Sequence, residues 1–385
     1  MARQLLFITF LVDIDVGLCL RAPPQWRVMQ AAHGRFSSRH IDTAACRCNR
    51  LSRPLQVIPD LQTCRKGSTR PQPPAVLKPH CCRVSRGSTA QATRQAVSRA
   101  AGHSMCDDLL IVGAGVLGTP LGKSWLAEHD SKVIGETNTD ASHARLQAVG
   151  ITPRLRSQRK DDQQFDNVVF CAPPSGSEDY VGEVQRACKL WTGKGGLVFT
   201  SSAAVYSNED GSACSEDCPL VGLGSSERTD RLLKAEDAVL EAGGCVLRLV
   251  GLYHSRRGAH TAFLRMGQVP RWGGYTVNLI HYEDAASLTA AILGYQQQNR
   301  GSEKRRAFVG CDGTPITFQA MMDAVKATGR YDGDVQFTGQ QSKNVGKRMS
   351  NLATRELVGW QPNYASYSKF MQDGAEDFYS TSGLY

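Results

Sequence analysis

From position 107 onward the apolar residues fall into short runs closed by glycine or polar residues, alternating with stretches of helical spacing. Asp108-Leu-Leu-Ile-Val-Gly113 predicts a strand, and Leu117 to His129 predicts the helix that follows it. Further strands are expected at Lys132–Gly135, Asn167–Cys171, Gly196–Thr200 and Cys245–Val250, with helices around Tyr180–Trp191 and Arg231–Ala242. Alternation of this kind needs parallel crossovers and implies an α/β, doubly wound parallel sheet. After about Gly251 the pattern loosens. A run at Val277–Ile280, a helix near Asp284–Leu293, a strand at Ala307–Val309 and a helix at Phe318–Thr328 predict a smaller C-terminal substrate lobe. The expected division is residues 105–275 for the domain built on the parallel sheet and 276–378 for the lobe.

Residues 1–104 behave differently. They contain no Glu and show no sustained periodicity with which to build a core. The first 106 residues carry 16 Arg or Lys against four acids, more than the whole net charge of +9. The basic excess therefore belongs to this leader, and the slightly acidic body loses the usual argument for a polyanion partner. The apolar run Leu5–Val12 partly resembles a signal-peptide core, and the Arg-rich stretch after it resembles a transit peptide. Two readings stay open: a disordered targeting leader, which favours a plastid, or translation beginning at Met105, which favours the cytoplasm. No apolar run approaches the roughly 18 residues of a membrane-spanning helix. The 13 cysteines form no CxxC pair and fit reduced thiols, with no metal site expected.

Gly113-Ala-Gly115-Val-Leu-Gly118 stands between the first strand and first helix, the setting in which a GxGxxG pattern holds a dinucleotide. Gly113 would permit the tight turn, Gly115 the approach of the pyrophosphate, and Gly118 the packing of helix on strand. Glu136 lies 18 residues after Gly118, near the offset of roughly 20 for the acid that bonds the ribose hydroxyls. An ordinary solvated carboxylate is equally compatible with that place. The small polar Thr137, Asn138 and Thr139 beside it would also suit a 2′-phosphate, so the choice between NAD and NADP stays open.

The run Thr200-Ser201-Ser202-Ala203-Ala204-Val205-Tyr206 resembles the extended or atypical short-chain dehydrogenase/reductase superfamily, the NAD-dependent epimerase/dehydratase group with a Rossmann sheet. Val246-Leu-Arg248-Leu-Val-Gly-Leu-Tyr253 is similar to the family's LRxxxxY strand end. Asn278-Leu-Ile-His281-Tyr282-Glu283-Asp284 resembles its IHxxD segment, and Glu356-Leu-Val-Gly359-Trp360-Gln-Pro362 its LGWxP motif. Singly, Asp284 reads equally well as a helix N-cap and Trp360 as a core residue.

The resemblance implies a Ser, Tyr and Lys proton relay, and the chain departs from it. Ser202 matches the serine. Aligning Glu236 with the glutamate after the family's YxxxK puts Arg228 at the Tyr position and Leu232 at the Lys position. Lys234 is no substitute, because two residues along a helix turn it about 200° away. Arginine does not donate a proton near neutral pH. A YeeZ-like bacterial branch shares this loss, and the chain looks most like that branch. Ser202 and Arg228 become the candidate catalytic pair, acting on a small polar or nucleotide-linked substrate. Noncatalytic dinucleotide sensing with a protein partner is the alternative. RNA binding, known among plastid relatives lacking the Tyr, would rest only on Arg256-Arg257 and Lys304-Arg305-Arg306 and is the least favoured.

Overall fold

The computed structural model describes residues 107–385 except positions 161, 176, 300 and 302–305. The readings of residues 1–106 and of Lys304 and Arg305 lie outside the described residues.

The chain begins with β1 (Leu109–Val112), α1 (Gly118–Glu128), β2 (Val133–Thr137), α2 (His143–Ala148), β3 (Thr152–Leu155), β4 (Asn167–Phe170), α3 (Tyr180–Lys189) and β5 (Leu197–Ser202). It continues through β6 (Asp210–Cys214), α4 (Glu227–Glu241), β7 (Cys245–Leu249), β8 (Gly251–Tyr253), α5 (Ala259–Met266), β9 (Gln268–Val269), β10 (Thr276–Val277), β11 (Leu279–His281), α6 (Tyr282–Gln298) and β12 (Ala307–Gly310). The last elements are β13 (Ile316–Thr317), α7 (Phe318–Ala327), β14 (Gln336–Phe337), β15 (Gly346–Met349), α8 (Leu352–Val358), α9 (Tyr367–Gln372) and α10 (Phe378–Thr381).

Seven strands form one sheet in the order β12-β7-β5-β4-β1-β2-β3, all parallel. Every residue of β1, β4 and β7 is buried, which explains why they are apolar but for Asn167 and Arg248: helices cover both faces. Leu121 and Trp125 of α1 pack with Ile292 and Leu293 of α6 on one face. Val184 of α3 packs with Leu232 and Val239 of α4 on the other. The strand order reverses direction between β1 and β4, so the ligand crevice of such a sheet lies outside their carboxyl ends.

A third apolar cluster joins Phe263, Phe318, Met321, Tyr367 and Phe370 beside the short strands, where the smaller lobe is expected. The expected boundary at 275/276 needs correction, however. β12 returns to the main sheet beside β7, and α6 packs against α1, so both belong to the sheet's layers although they follow residue 276. Among the described residues no helix is long and apolar enough to cross a membrane.

Candidate functional site

The glycine turn sits at the switch point. Gly113 has φ +90°, and a Cβ there would lie 2.4 Å from the Ala172 backbone, so only glycine lets β1 and the end of β4 come this close. A Cβ on Gly118 would meet Ile111 Cγ2 at 2.8 Å, which makes this the place where α1 closes on β1. A Cβ on Gly115 would find only the Gly113 carbonyl oxygen, at 3.8 Å. The middle glycine thus faces open space, the cradle a pyrophosphate needs. The Cys171 thiol donates to Gly113 O at 3.2 Å, and burial pushes its pKa up to about 12, so it supports the turn as a neutral thiol.

Glu136 departs from expectation. Its backbone oxygen accepts from Gly113 N and Ala114 N at 2.9 and 3.0 Å, placing it directly beside the turn. Its side chain is only 1% exposed, which overturns the solvated-carboxylate reading. Arg154 Nη2 donates to Oε2 at 3.0 Å, and Arg159 donates through Nε to Oε2 at 3.1 Å and through Nη2 to Oε1. Both oxygens are engaged by arginine, so a ribose diol would compete with these guanidiniums for the carboxylate. Nothing in the sequence near Glu136 marks these partners, which come from β3 and the turn after it.

The Ser-Ser-x-x-Val-Tyr motif divides its work. Ser202, half-buried at the end of β5, accepts from Ala204 N at 3.2 Å and caps the single turn Ala203–Val205. That bond uses an oxygen lone pair and leaves the hydroxyl proton for a ligand. Ser201 turns inward and donates to Glu236 Oε1. Arg248 Nη2 lies 2.7 Å from Glu236 Oε2, and its Nη1 donates to the Tyr206 hydroxyl at 3.2 Å. Tyr206 donates in turn to Glu216 O at 3.2 Å. Burial pushes Tyr206 up to about 12, against the pull of Arg248, so this tyrosine is a structural phenol. Lys347, from β15, donates to Tyr206 O at 2.8 Å and ties the lobe to the same loop, a residue the sequence gave no sign of.

The vacant relay positions are now placed. Arg228 is exposed on the first turn of α4. Of its acidic neighbours, Glu227 pairs with Arg231 and Asp230 accepts from Gly224 N. Leu232 is buried in the core formed with α3, and Lys234 is exposed.

The last two motifs meet each other. Asp284 does not cap α6, since the His281 ring accepts from Glu283 N and does that work. Instead its two carboxylate oxygens accept from Asn363 N at 2.7 Å and Tyr364 N at 3.0 Å, just beyond the Gly-Trp-x-Pro segment. Trp360 is core, with Nε1 donating to Ser287 Oγ at 2.9 Å. His281 Nε2 faces Asp377 Oδ2 at 3.1 Å in full burial. Asp377 also accepts from Ser255 N and Ser255 Oγ, and these bonds hold its carboxyl well below the usual range despite burial. The adjoining Tyr379 donates to Val116 O at 3.0 Å, connecting the C-terminal segment to the glycine turn.

No protein-family model matches the sequence, and no curated protein matches it. Solved structures do match. A functionally unknown conserved protein from Silicibacter pomeroyi is 21% identical, covers 70% of this chain and 100% of its own, and gives a TM-score of 0.56. The UDP-Glc/GlcNAc 4-epimerase from Campylobacter jejuni is 18% identical over 70% of this chain and 98% of its own, with a TM-score of 0.57. UDP-glucuronic acid 4-epimerase from Bacillus cereus, solved with NAD, is 16% identical over 72% of this chain and 100% of its own, again at 0.57. The chain has the Rossmann-type fold of these epimerase structures, which is the fold its motifs imply.

Proposed function

We propose that the protein binds a nicotinamide dinucleotide across its switch point and acts on a small polar or nucleotide-linked substrate, without the usual Tyr-Lys relay. The open space at Gly115, between two glycines that are tightly enclosed, carries this reading. The cofactor, when bound, would supply the hydride chemistry. The chain's own residues would do the positioning: the turn from Gly113 to Gly118 holds the pyrophosphate, and the Ser202 hydroxyl donates to a substrate oxygen. Arg228 would present a fixed positive charge to an anionic group of the ligand, stabilising charge without moving a proton. The epimerases with this fold act on UDP-sugars by name, which makes a nucleotide-linked sugar the first substrate to test.

A noncatalytic sensor is the second reading, favoured by one observation: an apolar Leu232 is buried at the position where the relay would place its lysine. Its partner would be another protein. Adding UDP-glucose to the dinucleotide-bound protein separates the two readings. An enzyme changes the nicotinamide absorbance or the sugar, and Ser202→Ala slows that change; a sensor does neither. For the leader we retain delivery to a plastid as the proposed location, with Met105 initiation and a cytoplasmic protein as its alternative.

A further inference from the structure

The corner around Glu136 is built for an anion. β2 ends beside the glycine turn, and β3 lies in register with it, Glu136 opposite Arg154. Arg159, after the short turn Arg156–Gln158, closes over the same carboxylate in a bidentate grip. Two guanidiniums on one carboxylate leave this buried trio with a net positive charge. Arg154 is further fixed by Gln163, whose Oε1 accepts from Nη1 at 2.7 Å, while its buried Nε has no partner. Arg159 uses Nε and Nη2 on Glu136, and Nη1 donates to none of the described residues. The two arginine side chains keep exposed edges of 12% and 7%. Next to them Arg156 is already matched by Glu183 at 2.5 Å, so it does not compete for Glu136.

A ribose diol brings no charge with which to draw Glu136 away from two arginines. A phosphate on the 2′ oxygen brings close to two negative charges and three acceptors, which planar guanidiniums match. Resting on the dinucleotide reading above, we propose that Arg154 and Arg159 form a 2′-phosphate site and that the protein selects NADP(H) over NAD(H). Glu136 gathers both guanidiniums at the mouth of the site in the free protein and competes with the phosphate for them. This departs from the epimerases of the same fold whose structures hold NAD.

Calorimetric titration of the full chain with NADP+ and NAD+, repeated with adenosine 2′,5′-bisphosphate and 5′-AMP, tests the site by affinity alone. The 2′-phosphorylated member of each pair should bind at least about tenfold tighter, a preference that shrinks with added salt. Arg159→Ala and Arg154→Gln should each cut the preference to within about threefold without weakening NAD+. Glu136→Gln keeps both arginines and removes the competing charge, so it should widen the preference, and circular dichroism checks that each variant is folded. Tighter binding of NAD+ by the wild type, or a preference that survives loss of either arginine, overturns the 2′-phosphate site and leaves dinucleotide binding standing. Absence of binding by both dinucleotides overturns the two together.

Discussion

Glu236 and Arg248 form a buried ion pair, Nη2 to Oε2 at 2.7 Å, that fastens α4 to β7 behind the end of β5. Ser201 and Tyr206 complete the carboxylate and guanidinium bonding on either side. Two segments that resemble family motifs thus converge with α4 on one polar cluster, and the cluster fixes the backbone from which Ser202 projects.

Breaking that pair by Glu236→Ala leaves Arg248 charged and buried. The expected loss is about 3–5 kcal/mol of folding stability in urea titration. Replacing both partners by apolar residues, Glu236→Leu with Arg248→Met, should cost less than the sum of the single changes, because no uncompensated charge remains. A loss below about 1 kcal/mol for the single variant would show that the pair is not what holds α4.

Asp312 gives a pH signature. It accepts from Thr314 N and Tyr367 N, yet burial dominates and pushes its pKa up to about 7. In the unfolded chain it ionises near about 3.9. Between those values the unfolded state releases the proton and the folded state retains it, so stability from this group is full below about pH 4 and declines until about pH 7. Asp312→Asn removes the ionisation. Its stability relative to wild type should therefore improve steadily from pH 4 to 7 and level off above. His254 and His260, which burial holds neutral, are present in both proteins. A difference that stays constant across that range would contradict the assignment.

The sheet was legible because its central strands are buried on both faces: Leu-Leu-Ile-Val and Asn-Val-Val-Phe can hardly be anything else between glycines and polar turns. Edge and lobe strands escaped. β3 reads Thr-Pro-Arg-Leu, tolerates Pro153 because it pairs on one side only, and shows no apolar run. Lobe strands such as Gly-Lys-Arg-Met of β15 are stabilised by partners far along the chain. The site followed the same division. The glycines act through local backbone geometry and were readable in place. The fate of Glu136 depends on Arg154 and Arg159, brought to it by the unread edge strand, and no spacing announces that. Val277–Ile280 read as one run, yet it splits into β10 and β11 because its two ends pair with different strands.

The leader carries its own test. An Arg-rich, Glu-free segment without periodicity fits a targeting sequence that is removed, or one upstream of the true start. Mass spectrometry of the protein from its native cells should place the N-terminus roughly between residues 90 and 106 in either case. Finding a chain that begins at Met1 or Ala2 would reject both.

Binding of a dinucleotide at the Gly113–Gly118 turn is the claim on which the functional reading depends. Titration of the wild type with NAD, NADH, NADP and NADPH, followed by calorimetry, addresses it directly, with Gly115→Val as the control. That glycine faces open space, so the added side chain should leave the fold and its melting temperature nearly unchanged while filling the volume of the pyrophosphate. The account predicts saturable one-site binding of at least one dinucleotide by the wild type and a loss of about a hundredfold or more in the variant. Wild-type protein that binds none of the four, or a folded Gly115→Val variant that binds as tightly as wild type, would contradict it.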